Sequence, residues 1–363
     1  MLKNKTVAVV VPAFNEEKQI RLVIDSMPSF VDRIVIVDDC SRDKTCSVVQ
    51  ECIKNKKNIL TISPVKRIIA TKYNEADRVV QQMDDVEHAF YVPSEVLNKN
   101  PETERIILIA QKDNGGVGAA IARGYKWCKD HAIDCTAVMA GDGQMDPAEL
   151  ISICEPVVNE GVDYVKGNRL IHRSASVLIP KVRFFGNSVL SMLTKLASGY
   201  WRVSDTQTGY TAISLKALKS IDIHNIYRRY GMPNDMLVKL NMAYCTLREI
   251  EIKPVYRVGE KSKMNIGKLI PKVSWLLVKS FFKRLWGKYF FRDFHPLFLL
   301  YNFGFILILL DVFPAIKVFI ALLRRETVTY QSLIIFMFLA ISAFQSIFFA
   351  MWMDIQDNER LYK

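Results

Sequence analysis

The sequence is short of the residues that build metal cages. Its five histidines (His88, His131, His172, His224 and His295) and seven cysteines show no CxxC pair and no metal-ligand spacing, which excludes a structural zinc site. It has no glycine-rich loop ending in Lys-Ser/Thr, so a Walker phosphate loop is excluded. A GxGxxG turn is missing after the first apolar run, where Val11-Pro12 stands instead, and this removes the nicotinamide enzymes. Internal repeats and low-complexity tracts are absent as well. The first apolar run, 7–11, is too short for the core of a signal peptide and reads as a strand. With no such leader and an odd cysteine count, reduced thiols in a cytoplasmic compartment are expected.

Acid is scarce in one stretch above all. Residues 253–292 hold eleven Lys and Arg against the single acid Glu260, and supply +10 of the formal net charge of +12. Charge concentrated beside apolar runs reads as a headgroup-binding and topology signal, so nucleic acid is not an expected partner. Residues 296–323 are interrupted only by Asp311 and Lys317, and 332–352 carry no formal charge. Each run is long enough to cross a hydrocarbon core of ~30 Å. Asp311, Pro314 and Lys317 predict that the first helix is broken, tilted or partly interfacial. The expected organisation is a catalytic domain over 1–250 and a basic juxtamembrane region over 251–294, with an interfacial amphipathic helix. Two membrane helices over 295–353 and a cytoplasmic tail over 354–363 follow. The basic segment places the catalytic domain on the cytoplasmic side; Arg324 and Arg325 in the intervening turn oppose this but are outnumbered.

Before residue 161 the sequence alternates strand and helix signals four times. "TVAVVVPAFN", "RIVIVDDCSRD", "RIILIAQKDNGG" and "TAVMAGDGQMDP" are apolar runs ending in polar turns, each followed by helical spacing. Continuous runs of this kind imply an α/β fold with a mostly parallel sheet, which binds ligands beyond its strands' C-terminal ends. Those ends carry Asn15-Glu16, Asp38-Asp39, Asn114-Gly115-Gly116 and Asp142-Gly143-Gln144. Residues 58–104 break the alternation and read as an insertion. Later, "VDYVKGNRL" reads as a strand, and "RVSDTQTGYTAISLKAL" as a polar turn entering a helix capped by Ser214 or Thr211.

In this order "VVPAFNEE", "VDDCSRDKT", "NGGVGAAIARGY", "GDGQMDP", "GNRL" and "SDTQTGY" resemble the family 2 inverting glycosyltransferases of GT-A (Rossmann-like) fold. The closer likeness is to the dolichol- or polyprenyl-phosphate sugar synthases, strengthened by "YRVGEKSKMN" just before the membrane segments. The resemblance covers about residues 5–290 outside the insertion. It implies a nucleotide-diphosphate sugar donor, a polyprenyl-phosphate acceptor and a divalent cofactor, Mg²⁺ or Mn²⁺. The Gln-x-x-Arg-Trp motif of processive polysaccharide synthases is absent.

Each motif also has a plain structural reading. Pro12, Ala13 and Phe14 make a rigid turn for a base, and Glu16 and Asp38 or Asp39 can accept from base N–H or ribose hydroxyls. The resemblance gives this stretch, with Asn15, to the nucleotide half of the donor; helix capping by Asn15 and Asp39 is the alternative. Asn114 to Gly118 form a turn whose backbone N–H groups can approach phosphate or sugar. By resemblance Asp142 is the second acid of a D-x-D and Gln144 the glutamine two places on, both metal ligands. Ala140 replaces the first acid. One carboxylate suffices, because Mg²⁺ keeps waters and takes substrate phosphate oxygens. Asp146 is either a further ligand or a turn former. The resemblance places Arg169 and Arg202 on the acceptor phosphate, with Asp205 orienting them and Thr208 lining the turn. Asp235 is the base of a hydroxyl-acceptor enzyme or an ordinary cap. Lys261 and Lys263 hold the lipid phosphate or anchor the domain. A non-catalytic scaffold, suggested by Ala140, and homo-oligomerisation through the hairpin stay open.

Overall fold

In the computed structural model, which describes residues 1–55, 60–65, 69, 71–178, 181–255 and 266–363, the alternating signals become one mixed sheet. Its strands are β1 (Val7–Ala13), β2 (Arg33–Asp38), β3 (Ser94–Val96), β4 (Ile106–Gln111), β5 (Cys135–Val138), β6 (Tyr164–Asn168), β7 (Thr211–Ser214) and β8 (Leu247–Glu251). The spatial order is β3-β4-β2-β1-β5-β7-β6-β8. Strands β4, β2, β1 and β5 run parallel; β7 is antiparallel between β5 and β6, and β8 is parallel to β6. The C-terminal ends of these six like-directed strands therefore share one edge with the start of β7. That edge is where a sheet of this kind places its ligands.

In chain order the helices are α1 (Ile20–Asp25), α2 (Thr45–Asn55), α3 (Glu75–Glu87), α4 (Val117–Asp130), α5 (Leu150–Glu160) and α6 (Ala175–Leu178). After them come α7 (Lys181–Ser198), α8 (Leu215–Ser220), α9 (Met232–Met242), α10 (Ile266–Trp286), α11 (Pro296–Arg324) and α12 (Tyr330–Glu359). Helices α1, α2 and α5 cover one face of the sheet and α4, α8 and α9 the other. This two-sided cover explains the unbroken apolar runs: Val7–Val11 and 34–37 have no exposed surface. Strand β7 is legible only here. Its four residues read in the sequence as part of a polar turn, and Ser214, its last, caps α8 by accepting from the Ala217 N–H at 3.1 Å. The described part of the 58–104 insertion supplies α3 and the edge strand β3, antiparallel to β4.

Helices α11 and α12, of 29 and 30 residues, are each long and apolar enough to cross a membrane. They pack against each other, with Gly304, Leu307 and Asp311 buried on α11 and Ala343, Ser346 and Ala350 on α12. A Cβ on Gly304 would lie 2.6 Å from Ile347 Cγ1, so a larger residue would push the pair apart. A 30-residue helix is about 45 Å long, longer by several turns than a hydrocarbon core of ~30 Å. The last turns of α12 dock on the sheet domain. Asp354 is fully buried and takes both Arg284 Nη atoms at 2.8 Å, while Arg284 also donates to the Leu196 and Ala197 carbonyls. Tyr289 and Asn358 donate to the same carboxylate, each at 2.8 Å. The chain then pairs with the start of β8: Leu247 N–H bonds the Leu361 carbonyl at 2.7 Å, and Lys363 N–H the Leu247 carbonyl at 2.9 Å. The residues expected as a tail are thus the last turns of α12 and a short extension of the sheet.

Candidate active site

The part of the edge expected to take the nucleotide is built from β1, β2 and β4. Asp38 and Asp39 are 3% and 4% exposed. Asp38 Oδ2 accepts from the Ser41 N–H at 3.0 Å, while its Oδ1 has no hydrogen-bond partner among the described residues. A buried carboxylate oxygen without a donor is costly unless a ligand or water supplies one. Asp39 accepts from the Gly115 and Gly116 N–H groups at 2.7 and 2.9 Å, and Asn114 Nδ2 donates to the Asp39 carbonyl. Burial raises the Asp39 pKa against those two donors. The glycine turn therefore turns these two N–H groups inward, and Gly118 N–H goes to the Arg228 carbonyl at 2.8 Å. Gly118 is there for close packing: a Cβ would lie 2.0 Å from the Tyr227 carbonyl oxygen. The expectation that the backbone N–H groups of Gly115, Gly116 and Gly118 approach phosphate is corrected on this ground.

Asn15 does not cap α1. It adopts a left-handed φ of 57° and clamps the β2 loop, its N–H donating to Ser41 Oγ and its Oδ1 accepting from the Arg42 N–H. Glu16 N–H donates to Thr45 Oγ1 at 2.9 Å. Pro12 and Ala13 end β1, and the Pro12 carbonyl accepts from Gly141 N–H, linking the first strand to the acidic turn.

In that turn Asp142 and Gln144 are half-buried, and Asp142 Oδ1 accepts from the Gln144 N–H at 3.0 Å. At Ala140, where the first acid would stand, the backbone N–H meets the Met145 sulfur at 3.3 Å. Asp146 caps the next turn, accepting from Ala148 N–H at 2.9 Å, so its plain reading as a turn former accounts for it. Among the described residues no group of three or more His, Cys, Asp or Glu side chains is arranged to hold a metal ion. One carboxylate and one amide at a sheet edge still fit a hard divalent cation that shares its shell with phosphate and water.

The residues expected at the acceptor lie on β6 and the loop before β7. Arg169 pairs with Asp205 twice, Nε to Oδ2 at 2.8 Å and Nη2 to Oδ1 at 3.0 Å, and its N–H donates to Oδ2 as well. Asp205 is 1% exposed; burial opposes its charge, but the Arg169 guanidinium and Lys166 outweigh it and lower its pKa. Thr208 is buried in the same loop and its carbonyl accepts from Lys166 Nζ. Arg202 is not brought to this cluster. It is exposed and pairs with Glu359 at the end of α12, so Asp205 orients Arg169 alone. Asp235 accepts from Tyr227 N–H at 2.9 Å and Lys239 Nζ at 2.5 Å, anchoring the 227–229 loop over α4. Lys261 and Lys263 lie outside the described residues. Sequence reasoning missed Lys166 and Glu249, although each is a charge set in an otherwise apolar or alternating strand.

The family model of glycosyl transferase family 2 matches residues 8–76 and 92–222. Among curated relatives, the UDP-N-acetylglucosamine–dolichyl-phosphate N-acetylglucosaminyltransferase of Methanococcus voltae is 26% identical over 256 residues, 70% of this chain and 88% of the relative. The undecaprenyl-phosphate mannosyltransferase of Micrococcus luteus is 26% identical over 167 residues, covering 46% of this chain and 68% of its own. Among solved structures, glucosyl-3-phosphoglycerate synthase from Mycobacterium tuberculosis aligns with a TM-score of 0.46 and 16% identity, over 77% of this chain and 80% of that one.

Proposed function

The chain belongs to glycosyl transferase family 2, and from that premise we propose that it moves a sugar from a nucleotide-diphosphate sugar to a polyprenyl phosphate at the membrane surface. The observation that carries the choice of acceptor is the state of the carboxylates expected beside it. A sugar hydroxyl needs a base within reach, but Asp205 is committed to Arg169 and Asp235 to Tyr227 and Lys239. A phosphate monoester with a second pKa of about 6 is already a nucleophile at neutral pH, and needs a cation to aim it. Arg169 is that cation. The names of the two relatives agree with such an acceptor.

Asp38, with its unpartnered oxygen, holds the nucleoside, alongside Pro12, Ala13, Asn15, Glu16 and Asn114 of the Asp39-braced turn. Asp142 and Gln144 would hold Mg²⁺ or Mn²⁺, which when bound neutralises charge on the leaving diphosphate. Arg169, fixed by Asp205 with Thr208 beside it, turns a phosphate oxygen toward the anomeric carbon. The new C–O bond forms opposite the departing nucleoside diphosphate, so the configuration inverts. Positioning supplies much of the acceleration. The basic segment 253–292, Lys261 and Lys263 included, sets the domain against the cytoplasmic leaflet.

The test is transfer from labelled donors to a short polyprenyl phosphate, with a product labile to mild acid as expected of a sugar phosphodiester. An acid-stable glycoside would favour the hydroxyl-acceptor reading. Nucleotide-sugar binding without turnover on any lipid would favour a scaffold.

A further inference from the structure

A charged residue occupies the middle of β6, where an apolar one would complete the core. Lys166 is fully buried and stands in register with Thr211 of β7 and Glu249 of β8. Burying an ammonium is costly, and a methionine of similar volume would avoid that cost. Its Nζ donates to the Thr208 carbonyl. Glu249, its neighbour, accepts from the Ser204 and Asp205 N–H groups at 3.0 and 3.1 Å and from Asn168 Nδ2 at 2.8 Å. The 204–208 loop is therefore pinned from beneath at both ends, by a carboxylate at 204–205 and an ammonium at 208. Burial lowers the Lys166 pKa to about 8 against the pull of Asp205 and Glu249, with Arg169 adding to the lowering.

The charge balance explains why a cation stands there. Asp205 in the loop and Glu249 beneath it are two anions, and Arg169, paired with Asp205, is one cation. A phosphate arriving at Arg169 brings a charge of about −1.5 to −2 and competes with Asp205 for the guanidinium. Without a second cation, Asp205 and Glu249 would then repel both each other and the ligand. Lys166 supplies it.

We propose that Lys166 is a positioning residue of the acceptor site. Its buried ammonium holds the Thr208 carbonyl and keeps Asp205 neutralised while Arg169 engages the phosphate. This rests on the acceptor reading above, and binding separates the two. The probe is farnesyl phosphate, titrated calorimetrically into the detergent-solubilised full chain, with UDP and GDP in Mg²⁺ as donor-side controls. Lys166→Met should weaken farnesyl phosphate by about tenfold or more, leave nucleotide binding and the melting temperature near wild type, and be rescued by Lys166→Arg. Wild-type affinity should fall as pH rises through about 8, where Lys166 loses its proton, and Lys166→Arg should remove that fall. Unchanged binding in Lys166→Met, or equal weakening of nucleotide and lipid phosphate, overturns the proposal. Intact farnesyl phosphate binding with no turnover on any donor counts against the transfer reading and leaves the Lys166 result standing.

Discussion

Replacing Asp354 by alanine should damage this protein more than most single substitutions. The carboxylate has no exposed surface, and the Arg284 it pairs with is 1% exposed. Removing it leaves a guanidinium buried without its counter-ion, and strips Tyr289 and Asn358 of a shared acceptor. Breaking a buried pair from one side costs ~3–5 kcal/mol. Against a typical net stability of about 5–15 kcal/mol, that is a large fraction. The assay is denaturant unfolding in detergent, followed by C-terminal proteolysis as a local probe. A double variant, Asp354→Leu with Arg284→Met, removes both charges and should recover part of the loss. Recovery stays partial, because the Leu196 and Ala197 carbonyls lose their donor. A loss below ~1 kcal/mol for Asp354→Ala, in the range of an exposed pair, would refute this reasoning.

Three further outcomes follow from the site. Asp142→Ala should abolish transfer with an unchanged melting temperature, and chelation of the wild type should do the same; full activity in either would remove the metal role. Asp205 has a lowered folded-state pKa, so the stability it contributes is present above the ordinary carboxylate range and is lost as pH falls through the folded value. Unfolding titrated from pH 7 into acid should therefore fall less steeply in Asp205→Asn. Gly118→Ala places a Cβ 2.0 Å from the Tyr227 carbonyl, and should cost ~1–3 kcal/mol in unfolding measurements.

The edge of the sheet was legible because parallel strands write their burial as unbroken apolar runs, and the polar break marks where each one ends. Asn15, Asp38, Asn114 and Asp142 follow from that alone. What each polar residue bonds was not legible, because the partners come from distant segments. Asp39 reads as a cap for the helix after it, yet it holds a glycine turn 76 residues on. Arg202 lies three residues from Asp205, yet its partner Glu359 belongs to the last turn of α12. Strand β7 is too short to show a period, and its pairing with β5 and β6 decides its conformation. The docking of residues 354–363 is illegible for a similar reason: a hydropathy run shows where lipid-compatible sequence stops, but not that Asp354 and Asn358 are received by Arg284 and Lys288.

A polyprenyl-phosphate acceptor would arrive already ionised. The most direct measurement incubates the purified full chain with a panel of nucleotide sugars, Mg²⁺ or Mn²⁺ and a short polyprenyl phosphate, and reads nucleoside diphosphate release together with the product's stability to mild acid. The expected result is release that depends on the lipid phosphate and a product cleaved by mild acid. Release that depends instead on a neutral sugar hydroxyl, with an acid-stable product, would contradict it.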